Sequence, residues 1–337
     1  MKKTISGILR KHIRRNMNKT FFILTVVFSF CSPAGAEPDL CDWLQQEESN
    51  AGKKPVAEIA GSFGDAGEIR QKKKEEFQRK HPLQYRFFEA VKKNDLAGAQ
   101  KCLAQGADVN GADDKGLVPL HYAAYNTNPE MVRRLLAHGA DVNRQRGHSL
   151  WTPLHYVLGG DEVMDELRSS PMEGKTMEVL KILVEAKANV NAEDDHGVSP
   201  VYLAIGCGDL KILQYLADHG GKLDEGWAYR GQTPLLWAIT NRASVEVVEF
   251  ILKHGGTKHI DVSDGDGNAP LHHAVRNQDL KIVKCLAEHG ADVKITTPGD
   301  DCKTPLDLAE EEKLTEIAKY LKAHGGTASW KIPCRPE

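Results

Sequence analysis

Histidines recur along the chain and are the residues to test first for chemistry. Imidazole is a common zinc ligand, and a zinc ion needs its ligands about 2 Å from one centre. Five histidines stand directly before a glycine: His138, His219, His254, His289 and His324. The last four recur every 35 residues, so each belongs to a separate element, and packed helices lie roughly 8–10 Å apart. Successive histidines therefore cannot share an ion, and we expect them to interact with helix C-termini instead.

A second candidate is the run DGDGN at residues 264–268, which has the aspartates of a calcium loop. Such a loop needs glycine at its sixth position and glutamate at its twelfth, where this chain has Ala269 and Val275. Glycine and aspartate also form turns, so we predict a turn here. The sequence has no HExxH, phosphate-binding glycine-rich loop or GxSxG motif. It predicts no catalytic residue, no metal and no cofactor, and therefore a protein that is not an enzyme.

Composition and charge exclude other classes of protein. The chain has 337 residues, of which 41% are hydrophobic and 27% charged, as in globular proteins. Residues 1–36 carry seven Lys and Arg and no acid, so the net charge of -3 becomes -10 for the remainder. With this negative net charge, residues 37–337 lack the excess of Lys and Arg that neutralises phosphates, and we predict no nucleic-acid partner.

The N-terminal segment has the layout of a secretory signal peptide. A basic stretch precedes the apolar run FFILTVVFSF at residues 21–30, and the small residues Ala34-Gly35-Ala36 follow it. We predict a signal peptide over 1–36, cleaved between Ala36 and Glu37. A start at Met17 in place of Met1 is an alternative. The apolar run is too short to span a bilayer, so we expect no stable membrane insertion after cleavage. The predicted compartment is the bacterial periplasm, with secretion as the alternative.

The rest of the chain divides into a polar linker at 37–83, partly helical over 68–80, a self-similar region at 84–326 and a tail at 327–337. Within the self-similar region, prolines that open a helix stand 34, 47, 34, 36 and 35 residues apart. Proline at the first helical position loses no needed N–H, and a preceding threonine caps the helix. Most second helices stop at a glycine, which suits a left-handed closing residue.

Two short amphipathic helices cannot bury their apolar faces alone, but stacked neighbours bury them jointly. We therefore predict an all-α helical solenoid. Its units are expected near 84–114, 115–147, 148–195, 196–230, 231–265, 266–300 and 301–326.

The repeated helix start resembles that of the ankyrin repeat family. It reads Val118-Pro119-Leu120-His121, Thr152-Pro153-Leu154-His155 and Ala269-Pro270-Leu271-His272 in three units. The resemblance covers about 243 of 337 residues and implies about seven ankyrin-like repeats with short inter-repeat hairpins. It also implies a structural hydrogen-bonding role for the histidines of this motif. The 47-residue unit carries about 13 additional, acidic residues near 161–174, whose role stays open.

Two sets of residues are singled out as sites. Cys302 opens the last unit on the hairpin side, where the tail should bring Cys334, so we predict a Cys302–Cys334 disulfide; unpaired thiols are the alternative. Large residues in variable hairpin positions are typical anchors of interfaces. The partner-binding candidates are Trp151, Trp227, Tyr229 and Arg230. Packing onto neighbouring hairpins is the alternative for these side chains.

The predicted function is non-catalytic binding of a partner protein through hairpin tips and first helices in an exported compartment. In its more specific form, this prediction is an inhibitor or immunity protein that covers the active site of a toxin or enzyme. A secreted effector acting on host proteins is the alternative, and an exported enzyme or cofactor carrier is a third hypothesis.

The cleavage site gives a direct test. We expect the exported protein to begin at Glu37, because Ala34-Gly35-Ala36 presents small residues to the signal peptidase. The intact mass of the exported chain measures this, and a mass that retains the run at 21–30 would contradict the signal peptide.

Overall fold

The computed structural model describes residues 66–147, 149–159, 175–225, 231–298 and 302–329. The chain divides into two compact units, Met1–Lys74 and Glu75–Glu337. Several predictions fall outside the described residues: the signal peptide and its cleavage site, most of the linker, the insertion at 161–174, Trp227, Tyr229, Arg230 and Cys334.

The described residues form fifteen α-helices, one 3-10 helix at Gly256–His259 and no β-strand beyond an isolated bridge between Arg146 and Trp151. The helices are α1 Ala66–Lys80, α2 Pro82–Lys92, α3 Leu96–Ala104, α4 Pro119–Tyr125, α5 Pro129–Ala137, α6 Pro153–Leu158, α7 Thr176–Glu185, α8 Pro200–Cys207, α9 Leu210–Asp218, α10 Pro234–Thr240, α11 Val245–Lys253, α12 Pro270–Arg276, α13 Leu280–Glu288, α14 Pro305–Glu311 and α15 Thr315–Ala323. None of them is long and apolar enough to cross a membrane.

From α2 onward the helices form consecutive pairs, from α2 and α3 as the first to α14 and α15 as the seventh. The two helices of a pair contact each other, and each first helix contacts the first helices of the neighbouring pairs. The leucine after the helix-opening proline is completely buried at Leu120, Leu154, Leu235 and Leu271. The apolar core therefore continues from pair to pair, and the predicted all-α repeat architecture is confirmed.

The hairpins before the second, fourth and sixth pairs are closed by an aspartate. The Oδ1 atom of Asp194 accepts hydrogen bonds from the backbone N–H groups of His196 and Val198, both at 2.8 Å. The DGDGN run is built in the same way, because Oδ1 of Asp264 accepts from Asp266 and Asn268. This run is therefore a turn, and its aspartate serves the backbone.

In the second, third and sixth pairs, the histidine of the repeated helix start links the pair to the next one. Nδ1 of His155 accepts the N–H of Thr152 at 3.1 Å, and Nε2 donates to the carbonyl of Val198, 3.2 Å away, in the following hairpin. His272 makes the same two contacts, with Ala269 N at 3.1 Å and Lys303 O at 3.1 Å. His121 likewise accepts from Val118 N and donates to Arg144 O. We call this fourth residue of the motif the bridging position.

Other residue types occupy the bridging position in the remaining pairs. The hydroxyl of Tyr202 donates to Gln232 O at 3.0 Å, directly before the next helix start, and so replaces histidine. Leu236 is buried and has no polar atom to donate. Asp307, in the last pair, accepts the N–H of Ser329 at 2.9 Å instead of reaching forward.

A second row of bonds joins the ends of successive second helices. Asn191 donates to Gly220 O at 2.8 Å and accepts the N–H of Lys222 at 2.9 Å. Asn110 and Asn143 bind the following pair in the same manner. These amides thus add a second set of polar contacts between the first four pairs.

The bridging histidines make folding sensitive to acid. Burial lowers the pKa of His121 and of His272 from 6.5 to about 4, and it lowers the pKa of His155 as well. The unfolded chain therefore binds more protons than the folded chain between pH 6.5 and pH 4. The stability contributed by neutral histidine is complete above pH 6.5 and is lost as the pH falls toward 4.

Between pH 7 and pH 4 we expect His121 and His272 each to lower the free energy of unfolding by about 3 kcal/mol at most. Urea titrations across that range measure it. His272→Gln retains an acceptor and a donor without a proton equilibrium, so it should weaken the pH dependence. The exposed His254, replaced by Gln, is the matched control. An identical pH dependence in His272→Gln and the parent protein would contradict this assignment.

Candidate partner-binding surface

The residue directly after the bridging position lies on the same face of every first helix. In sequence order from the second pair to the seventh, this row is Tyr122, Tyr156, Leu203, Trp237, His273 and Leu308. Tyr122, Tyr156 and Leu308 are buried. Leu203, Trp237 and His273 are only half-buried, so the row is accessible in the fourth, fifth and sixth pairs.

Leu203 and Trp237 belong to a small apolar cluster beside the main core. Val198 and Tyr202 are its buried members, and Leu203 and Trp237 pack on them. The Trp237 indole donates to Tyr202 O at 2.9 Å, and the two rings meet edge to face with centroids 5.8 Å apart. The indole is therefore held in one orientation while part of its surface stays open to a partner.

Acidic side chains lie at the hairpin tips near this cluster. Glu193 and Asp195 flank Asp194, whose carboxylate holds the N–H of Val198 in the cluster. Both are exposed, as is Asp266 in the hairpin before the sixth pair. Lys222 donates a hydrogen bond to Glu225 at 2.6 Å. This bond is the main cause of the raised pKa of Lys222, and the charge of Glu193 adds to it. The hairpins before the fourth and sixth pairs thus carry exposed negative charge.

Trp151, one of the partner-binding candidates, is engaged within the array. Its indole N–H donates to Oδ2 of Asp194 at 3.1 Å, and its ring lies 5.6 Å from His155 and 5.2 Å from Tyr156. The side chain is half-buried. These contacts favour the packing alternative for Trp151.

The other three candidates, Trp227, Tyr229 and Arg230, lie between described residues Glu225 and Gly231 but outside the described part of the chain, so their role stays a prediction. Sequence reasoning did not single out Leu203 and Trp237. Their position one residue after the bridging position was the available signal, because it repeats on one face of every first helix.

The histidines before the closing glycines serve their own helices. Nδ1 of His219, His254 and His324 donates to the carbonyl four residues earlier at 2.7–2.9 Å. Each ring also stacks on an aromatic residue of the preceding turn, with centroids 4.0–4.1 Å apart. These imidazoles cap helix C-termini, and the described residues contain no cluster of metal-ligating side chains.

The cysteines differ in their bonding. Cys302 is buried and disulfide-bonded, whereas Cys102 and Cys285 have free thiols. Because Cys334 lies outside the described residues, the Cys302–Cys334 pairing stays a prediction. Burial raises the pKa of the Cys285 thiol to about 11, so this side chain is a poor nucleophile at neutral pH.

Comparisons with protein families match most of the helical array. A family model described as ankyrin repeats in three copies matches residues 169–264 and 256–329. A second model, described as ankyrin repeats in many copies, matches residues 103–157. Among solved structures, the human ASB11 ankyrin repeat domain aligns with a TM-score of 0.56 at 24% identity. The alignment covers 72% of this chain and 98% of that domain, which establishes a common fold.

Curated relatives share the same region. The ankyrin repeat protein YahD of Escherichia coli (strain K12) is 28% identical over 186 residues, which are 54% of this chain and 84% of YahD. Human B-cell lymphoma 3 protein is 33% identical over 177 residues, 50% of this chain and 35% of that protein. The human transient receptor potential cation channel subfamily A member 1 is 31% identical over 175 residues, 50% of this chain but 14% of the channel. The chain thus spans a small part of the two human proteins.

Trp151 provides a test of the packing alternative. Trp151→Ala removes two ring contacts and leaves the Oδ2 atom of Asp194 without its donor, so we expect unfolding to become easier by about 2 kcal/mol. Trp151→Phe keeps a ring in place and should lose less. Urea denaturation of both variants measures the effect, and a Trp151→Ala protein as stable as the parent would show that these contacts contribute nothing to folding.

Proposed function

Because this chain is an ankyrin-repeat protein, we propose that it is a non-catalytic scaffold that binds a partner protein through its hairpin tips and first helices. Ankyrin repeats generally mediate protein–protein interaction. The observation that carries the proposal is the half-buried pair Leu203 and Trp237 in the fourth and fifth helix pairs, with exposed acids in the hairpins before the fourth and sixth pairs. Partly open aromatic and aliphatic side chains within a polar rim are typical of binding surfaces.

We propose that the scaffold acts outside the cytoplasm. The basic, apolar and small-residue segments of 1–36 support export. The disulfide at Cys302 supports an oxidising compartment, because cytosolic thiols are kept reduced. The periplasm is the compartment we favour, and the E. coli relative YahD, of similar length to the array, is consistent with a bacterial source.

In that compartment, binding would act by occlusion. A rigid array with no motif for catalysis can inhibit a toxin or an enzyme by covering its active site, as an inhibitor or immunity protein does. A secreted effector that binds host proteins uses the same surface and is the second candidate. Affinity capture from the native compartment tests the proposal. Recovery of the protein from the medium would favour the secreted effector. A metal or chromophore bound to the captured protein would favour an exported enzyme or cofactor carrier.

The hairpin before the fifth pair provides the mutational test. Replacing Trp227 and Tyr229 by Ala should weaken binding of the captured partner by about 2 kcal/mol or more per anchor, some thirtyfold in affinity. Affinity and thermal unfolding are measured together. Phe250→Ala, on the second helix of the same pair, is a control that removes an aromatic ring away from the hairpins. Unchanged affinity with a lower melting temperature would assign Trp227 and Tyr229 to packing.

A further inference from the structure

A proline break separates α1 from α2 at the N-terminal end of the array. Pro82 has no N–H to give to the carbonyl of Gln78, so the helical hydrogen bonds are interrupted there. His81 lies between the two helices with φ -131° and ψ 61°, outside the helical region. His81 N still donates to Phe77 O, and Tyr85 N donates to His81 O, both at 2.8 Å. The helical path is therefore broken at His81 while both helix ends are kept.

Aromatic contacts fix the end of α1 on the side that faces the core. The ring of Phe77 lies 6.1 Å from the ring of Phe88, centroid to centroid, and the two meet edge to face. Phe88 is buried and in turn meets Tyr122 of the second pair at 5.9 Å. The last turn of α1 is therefore anchored to the array through its apolar side, and its polar side is exposed to solvent.

On the solvent side of the break, six residues line an open cleft of about 500 Å³. They recur at intervals of three and four residues, which places them on one helical face. Pro82 and the half-buried Tyr85 stand between Arg79 and Arg86 in the sequence and supply the apolar part of the cleft. The lining residues are Glu75, Gln78, Arg79, Pro82, Tyr85 and Arg86.

The two arginines of this cleft are exposed, and within the described part of the chain they form no ion pair and no side-chain hydrogen bond. Lysines engage the glutamates nearby. Nζ of Lys80 lies 2.6 Å from Oε1 of Glu76, and Nζ of Lys93 lies 3.5 Å from Oε2 of Glu89. Glu75 is the single acid among the lining residues. The cleft therefore presents two guanidinium groups whose donors are open to a ligand.

The positive charge at this end is local. The fifteen residues of α1 carry six Lys and Arg against three Glu, whereas residues 37–337 have a net charge of -10. Interactions between exposed charges fade over a Debye length of ~8–10 Å. An anionic membrane or a nucleic acid would extend over the acidic remainder of the array and be repelled by it. A short acidic segment would feel the arginines of the cleft alone.

We propose that the cleft between α1 and α2 binds a short acidic segment of a partner protein. The guanidinium group of arginine pairs with a carboxylate in a planar, bidentate geometry. Two carboxylates of the segment pair with Arg79 and Arg86, and an apolar side chain between them packs on Pro82 and Tyr85. This surface lies at the start of the first pair, whereas the surface proposed above lies in the fourth and fifth pairs, so neither depends on the other.

Calorimetric titration of the purified full chain with a synthetic peptide tests the proposal. The probe is an acetylated and amidated pentapeptide with leucine at its centre and glutamate at the other four positions. We expect saturable binding that weakens about tenfold when NaCl is raised from ~0.1 M to ~1 M, because exposed ion pairs are screened. The same peptide with glutamine in place of glutamate should bind about tenfold more weakly.

Variants of the cleft assign the binding to its arginines. Arg79→Gln and Arg86→Gln should each weaken binding of the glutamate peptide about threefold, and the double variant about tenfold, as expected for solvent-exposed ion pairs. Arg276→Gln changes an exposed arginine of the sixth pair and is the matched control, which should bind like the parent chain. Thermal unfolding of every variant is measured alongside and should stay unchanged, because all three positions are exposed.

Equal binding of the glutamate and glutamine peptides would overturn the proposal, and so would a loss in Arg276→Gln as large as in the cleft variants. Sedimentation of the parent chain with phosphatidylglycerol vesicles, with no binding of the peptide, would also overturn it, because the basic end would then serve an anionic membrane. Should a cleft variant fail to fold, the two peptides and the salt series on the parent chain still decide between these outcomes.

Discussion

A buried imidazole that must satisfy both of its ring nitrogens sets the geometry of the array. In His155, one nitrogen accepts from its own helix start and the other donates to the following hairpin. A buried polar atom left without a partner costs about 1–3 kcal/mol, so the next hairpin is held within hydrogen-bonding distance. Each first helix thereby positions the hairpin of its successor, and the hairpin tips form an ordered edge.

The exceptions show that the bond matters more than the residue that makes it. Tyr202 reaches the equivalent carbonyl, Gln232 O, with a hydroxyl. In the last described pair, the carboxylate of Asp307 accepts from Thr304 and Ser329. An acceptor is the suitable group there, because two backbone N–H groups point to it.

Much of this architecture follows from the sequence, because helix starts, closing glycines and spacing near 34 residues are local features. Tyr202 and Asp307 depart from the histidine of the motif, and their residue type alone does not tell which distant group lies within reach. The same limit applies to Trp151, whose partner Asp194 is 43 residues away. Exposure in the row of Leu203 and Trp237 depends on neighbouring pairs, so the repeat spacing can indicate the face but not which part of it is open.

The fifth pair departs from these rules at several points. Leu236 occupies the bridging position without a polar group, and Ala228 stands in the sequence where the hairpins before the second, fourth and sixth pairs have aspartate. Leu236 therefore donates no hydrogen bond to the hairpin that follows it, and Ala228 has no carboxylate. Local departures from otherwise consistent folding rules tend to occur at functional sites. Trp237 is half-buried in this same pair, and Trp227 and Tyr229 precede it in the sequence, so these departures from the motif coincide with the large side chains best suited to a partner.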